Sequence, residues 1–309
     1  MSIFQLIAGV TCASGILFFM WRIALLASRY MIRHTAAPAG LRLLTPEPSG
    51  VRIDVSLESG KRLPVWHRGS GHAVLILPES GFKASAYTPV WSFLCGYGFK
   101  VILPDTGLYS ELQSPEALAS VIKQISRRLS VRSMIIVGHG FGVYQAISAE
   151  SLLRHQEGPE VTGLVSVSGF SGITGKLSRS PFEKIFHRTP SYSLHVSAFG
   201  EEASAAGVLA LQQHTTSQAW SHLNDSWNPV CSFYSEGFPE WPMKVLSSIH
   251  DGILPFTHSG ALSEISSNAE WIHVRDGAGH MLIWEKPTLI VDQVRMIEKE
   301  TKRTMGQTG

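Results

Sequence analysis

Three short stretches carry side chains that could act together on one substrate. Gly138-His139-Gly140-Phe141-Gly142 is a glycine-rich turn that follows the apolar run MIIV. HDGILP, residues 250 to 255, places Asp251 just after a late apolar run, and DGAGHM, residues 276 to 281, sets His280 in a glycine-rich loop. An imidazole in such a loop can take and return a proton near neutral pH. A carboxylate bonded to its other nitrogen would fix the tautomer and stabilise the imidazolium. The plainer roles are a packing histidine, one of thirteen in the chain, and a turn aspartate bonded to its own backbone. The glycine turn is different in kind: Gly140, at its centre, has no side-chain atom with which to attack anything.

The elements that must position these residues begin near Val51. VRIDVSL (51 to 57) and RLPVWH (62 to 67) read as an antiparallel pair of strands joined by a turn. AVLILPE (73 to 79), KVILPDT (100 to 106), MIIVG (134 to 138), VTGLVSVSG (161 to 169), MKVLSSI (243 to 249) and AEWIHVRD (269 to 276) read as further strands. Between them lie helical patterns. The clearest is SPEALASVIKQISRRLS (114 to 130), with Leu118, Val121, Ile122, Ile125 and Leu129 on one stripe. Another follows the glycine turn, from about 142 to 155, and a last one spans 287 to 300. Strands separated by helices imply an α/β fold with a mostly parallel sheet covered on both faces. Such sheets place their ligand sites at the carboxyl ends of the strands. Residues 170 to 242 break the alternation and read as a cap, with one helix over 201 to 214.

The strand order, the glycine turn after MIIVG, HDGILP after a late strand and DGAGHM after the last one together resemble the α/β-hydrolase family, over roughly residues 50 to 300. In that family a G-x-S-x-G turn carries the nucleophile, and nucleophile, acid and histidine follow in that chain order. The resemblance implies that Gly140, Asp251 and His280 occupy those three places, with the serine hydroxyl absent. It also implies an oxyanion hole formed by the Phe141 N–H and a second donor from the loop PESGFKAS, at Gly81 or Phe82. Ser80, where the family commonly has part of a His-Gly pair, and His139, the variable residue of the turn, are accessory candidates.

The first 33 residues differ from the rest. IFQLIAGVTCASGILFFMW, Ile3 to Trp21, has no charged side chain and is long enough for a helix crossing a bilayer core of about 30 Å. Arg22, Arg29 and Arg33 follow it, so a single-pass anchor would leave the bulk of the chain on the cytoplasmic side. The expected organisation is an anchor over 1–33, a linker over 34–49, a hydrolase-like domain over 50–303 and a tail over 304–309. A net charge of +2 gives no electrostatic footprint for nucleic acid. Cys12, Cys95 and Cys231 are too few and too scattered for a disulfide framework or a zinc site, and no cofactor or metal motif is present. The expected partners are the membrane and a lipid or acyl-bearing ligand, for which Phe182, Phe186, Tyr192, Phe199, Trp220, Trp227, Phe233 and Tyr234 of the cap offer apolar surface. Three functions follow: a pseudoenzyme that binds such a ligand, an enzyme using the His280–Asp251 dyad without a covalent intermediate, or a disabled copy of a serine esterase.

Overall fold

The run Ala73–Leu77 is apolar throughout and buried at all five positions, so it needs a sheet covered on both faces. A computed structural model, describing residues 13–24, 37–170, 192–200, 203–216, 240–254 and 256–307, supplies that sheet. Its strands are β1 (Val51–Ser56), β2 (Arg62–Arg68), β3 (Ala73–Leu77), β4 (Lys100–Pro104), β5 (Ser133–His139), β6 (Glu160–Val167), β7 (Met243–Ser248) and β8 (Ala269–Val274). They lie in the order β1-β2-β4-β3-β5-β6-β7-β8. The β1–β2 and β2–β4 pairs are antiparallel and the other pairs are parallel.

Among the described helices are α1 (Thr88–Gly96), α2 (Pro115–Leu129), α3 (Phe141–His155), α4 (Tyr192–Ser197), α5 (Ala205–His214), α6 (Phe256–Ile265), α7 (Leu282–Glu285) and α8 (Pro287–Gln307). Side chains of β3 alternate between two cores. Val74 and Ile76 join Val90, Trp91 and Leu94 of α1 and Ile290, Val291, Val294 and Ile297 of α8. Leu75 and Leu77 join Leu118, Val121, Ile122 and Ile125 of α2 and Val143 and Ile147 of α3. The sequence stripe on α2 is thus buried, and the helix starts where Ser114 accepts the Ala117 N–H and Pro115 fills the first turn.

Two features of this topology position the site. From the middle of the sheet the chain passes from β3 outward to β4 and then crosses back to β5 on the other side, which creates a switch point between β3 and β5. Leu77 pairs with Gly138 across that point, so Glu79 and Gly140, each two residues further on, stand level. The loop after β3 is also stitched to the end of α5. Phe82 bridges Thr215, the Lys83 N–H bonds His214 O at 3.0 Å, the Thr216 N–H bonds Gly81 O at 2.8 Å, and Ser85 Oγ lies 2.7 Å from His214 Nδ1.

Three expectations change. Residues 13–24 are helical, but twelve residues span only about 18 Å. Among the described residues no helix is long and apolar enough to cross a membrane, and the rest of the expected anchor lies outside them. Of the cap aromatics, Phe182, Phe186, Trp220, Trp227, Phe233 and Tyr234 also lie outside, whereas Phe199 is buried in the core. Helix α6 was not foreseen, because FTHSGALSEI mixes serine and glycine with few apolar residues. It packs instead through Leu262 and the buried Ser259, with Gly260 and Phe256 against the Trp271 ring.

Central burial sets the stability. Leu75→Ala should lower the unfolding free energy by about 2–5 kcal/mol, read as a shift in urea midpoint. Leu209→Ala, on the exposed side of α5, should leave that midpoint nearly unchanged.

Candidate active site

Strand β5 ends in a turn whose backbone only glycine adopts freely: Gly140 has φ 52° and ψ −115°. Gly142 lets the turn lie close to β3, since a Cβ there would run into the Leu77 carbonyl oxygen. The space beside Gly140 is filled. A Cβ built on it would overlap Glu79 Oε2 and meet Glu79 Cδ at 2.7 Å. The Glu79 side chain, carried in by the register between β3 and β5, stands where a side chain of residue 140 would go.

Glu79 is 1% exposed, and both of its oxygens accept backbone N–H bonds. Phe141 N donates to Oε2 at 3.0 Å and Ser80 N to Oε1 at 2.6 Å. Two N–H groups converging at the start of a helix form an anion site. The anion in it belongs to the protein. Gly81 and Phe82 take no part: the Gly81 N–H bonds Gly107 O and the Phe82 N–H bonds Glu79 O. The donors that converge with Phe141 come one residue earlier in the loop, because the carboxylate turns the Ser80 amide toward itself.

Asp251 and His280 meet as the sequence pairing anticipates, His280 Nδ1 donating to Asp251 Oδ2 at 2.8 Å. The other oxygen, Oδ1, accepts from Ile253 N and Leu254 N at 2.8 Å each. The turn role and the dyad role therefore coexist in one side chain. On the far side of the ring, His280 Nε2 lies 3.8 Å from Glu79 Oε2. Burial opposes charge on His280, but Asp251, by charge and hydrogen bond, and then Glu79 overcome it and push its pKa up to about 10.

His139 links these parts. The Glu79 N–H bonds the Tyr87 hydroxyl at 2.7 Å, that hydroxyl lies 2.9 Å from His139 Nδ1, and His139 Nε2 lies 3.2 Å from the His280 carbonyl. One tautomer satisfies all three contacts: Nε2–H donates to the carbonyl and Nδ1 accepts from the phenol. Burial, reinforced by the charge on His280, pushes His139 down to about 4, so it stays neutral beside the imidazolium. Ser168 Oγ also donates to the His280 carbonyl, at 3.1 Å. Alongside lies an apolar wall of Phe141, Phe170 and Leu254, with Tyr144 packed against it.

Sequence reasoning missed Glu79 and Tyr87. Glu79 had one visible signal: an ionisable residue at the carboxyl end of an otherwise apolar central strand stands where such sheets bind ligands. Tyr87 had none, being one aromatic among many in a helical pattern.

The two rings, with centroids 4.9 Å apart, should titrate at opposite ends of the pH scale. NMR of labelled imidazoles should find His280 protonated and His139 neutral from pH 5.5 to 9. Because the pKa of His280 is raised on folding, its stabilising contribution is full below its unfolded value near 6.5 and disappears as pH rises through about 10. His139 behaves oppositely, its contribution being lost as pH falls from about 6.5 toward 4. Unfolding free energies measured across both ranges test the two signs.

No protein-family model and no curated protein matches the chain. Solved structures do. A membrane phospholipase A, described as a bacterial virulence factor, aligns with a TM-score of 0.61 at 16% identity, over 97% of this chain and 98% of that one. A thermophilic esterase from Thermogutta terrifontis aligns with a TM-score of 0.60 at 16% identity, over 82% of this chain and 99% of that one. An esterase from a Rhodococcus species gives 0.61 at 16% identity, over 80% and 98%. Identities this low speak to the fold alone, and with its mostly parallel eight-stranded sheet matching those of esterases and a phospholipase, the chain has the α/β-hydrolase fold.

Proposed function

We infer that this protein has left serine-dependent ester hydrolysis and acts, at a membrane, as a pseudoenzyme that binds an apolar or acyl-bearing ligand. The observation that carries this reading is Glu79 in the space of a residue-140 side chain, holding the Phe141 N–H that an acyl oxyanion would need. Two further points support it. An imidazole flanked by Asp251 and Glu79 and held as a cation cannot accept a proton, which speaks against water activation by the dyad. A copy disabled by one serine-to-glycine change would keep room for the serine, and here that room is taken.

Membrane attachment rests on residues 13–24, whose Ile16, Leu17, Phe18, Phe19, Met20 and Trp21 are all exposed. A helix apolar on every side calls for a lipid or protein environment. A structural neighbour that aligns over 97% of the chain is itself called a membrane phospholipase. Placing the bulk of the chain on the cytoplasmic side follows from the arginines at 22, 29 and 33.

Gly140→Ser alone should not create esterase activity, because Glu79 must give up its bond from Phe141 to admit the new side chain; it should also destabilise by about 1–3 kcal/mol. Gly140→Ser combined with Glu79→Gly frees both the space and the donors. That double variant should gain at least about a hundredfold on short acyl esters, well inside the roughly millionfold contribution of a working nucleophile. Strong esterase activity in the single variant, or in the natural chain, would overturn the reading. For the membrane, flotation of the full chain with phospholipid vesicles should be lost when Phe18, Phe19 and Trp21 are all changed to serine.

A further inference from the structure

Residues 38 to 49 are packed onto the domain, and the first of them marks where the chain arrives from the N-terminal apolar helix. Buried Pro38 lies against α5: a Cβ built on Gly207 would meet Pro38 Cδ at 3.2 Å, so glycine at 207 makes room for it. The residues that follow hold that seat. Gly40 lies against the Trp284 backbone, Leu41 and Leu44 pack on the core, the Thr45 N–H bonds Thr88 Oγ1 at 3.2 Å, and Ser49 O accepts the Trp91 indole N–H at 3.1 Å. Residues 25 to 36 alone separate Pro38 from the exposed apolar helix over 13–24. The tether therefore meets the domain at α5.

The outward face of α5 carries no charge. Between Ala205 and His214 there is no Asp, Glu, Lys or Arg, and His214 lies with Nδ1 2.7 Å from Ser85 Oγ. Val208 and Leu211 point into the core, while Ala205, Ala206, Leu209, Gln212 and Gln213 are exposed, Leu209 to 57%. A helix that turns one side to water ordinarily carries charges on that side. A face that enters the boundary between lipid head groups and acyl chains must do without them.

We propose that the outward face of α5, centred on Leu209, rests in the boundary between head groups and acyl chains of the bilayer that holds residues 13–24, as a second point of membrane contact. The proposal rests on the membrane attachment inferred above and names the surface which that attachment presents to lipid. A tether alone leaves the domain free to turn; a second contact beside the point of arrival fixes its orientation. With the first helix inserted, the second contact forms at high effective concentration, so a small apolar face suffices.

The test uses the full chain with Cys12, Cys95 and Cys231 changed to alanine and one new cysteine carrying an environment-sensitive fluorophore. It is bound to phosphatidylcholine vesicles containing lipid spin-labelled near the top of the acyl chain. Leu209→Cys puts the probe on the proposed face, and Arg127→Cys, at the exposed end of α2 on the other side of the sheet, is the reference. The spin-labelled lipid should quench the probe at 209 at least about twofold more strongly than the probe at 127. Ala206→Cys, on the same face, should match Leu209→Cys and serves in its place if that variant does not fold. Quenching at 209 no stronger than at 127, in a chain that floats with the vesicles, overturns the proposal and leaves membrane attachment standing. A natural chain that does not float overturns both.

Discussion

A carboxylate enclosed by backbone N–H groups and an imidazolium is the constraint around which this site is organised. Glu79 could not be buried as a charge without compensation, since the desolvation of an unpaired ion amounts to several kcal/mol. Compensation comes from Ser80, Phe141 and His280, which belong to the loop after β3, the start of α3 and the loop after β8. The carboxylate therefore ties together three segments that the sheet alone only brings near one another.

The Tyr87–His139 pair keeps that centre in register. Its hydrogen bonds end on the Glu79 N–H at one side and on the His280 carbonyl at the other, so they act on backbone and leave the reactive atoms alone. Neutrality of His139 is part of the design, because a charge there would face His280 across 4.9 Å. Buried polar networks of this kind are stable only when every member is satisfied, and the single tautomer that satisfies all three contacts leaves little freedom.

The sheet was legible in the sequence because its central strands are unbroken apolar runs and its helices carry clear stripes. Boundaries at β3, β5 and β7 fall within two residues of the expectation for that reason. The His280–Asp251 pairing was legible through chain order. Glu79 was not, although it ends the run AVLILPE, because its meeting with Gly140 depends on the register of two strands sixty residues apart, and periodicity carries no register. The donors of the loop after β3 were displaced by one residue from the expectation for the same cause: which amide turns inward is decided by the carboxylate it meets. Helix α6 escaped because it packs through Leu262, a buried Ser259, Gly260 against the Trp271 ring and Phe256 on the same ring, a mixture that forms no apolar stripe.

The stitching of the β3 loop to the end of α5 gives the insertion mechanical authority over the chemistry. Residues 81 to 85 hang on His214, Thr215 and Thr216 through backbone and side-chain bonds, and Glu79 lies only two residues upstream of that seam. A sideways movement of α5 would pull on the strand end that aims the carboxylate, and so would alter the spacing between negative charge and imidazolium without touching either. Whatever settles against that helix is in a position to tune the electrostatics of a buried cluster it never touches.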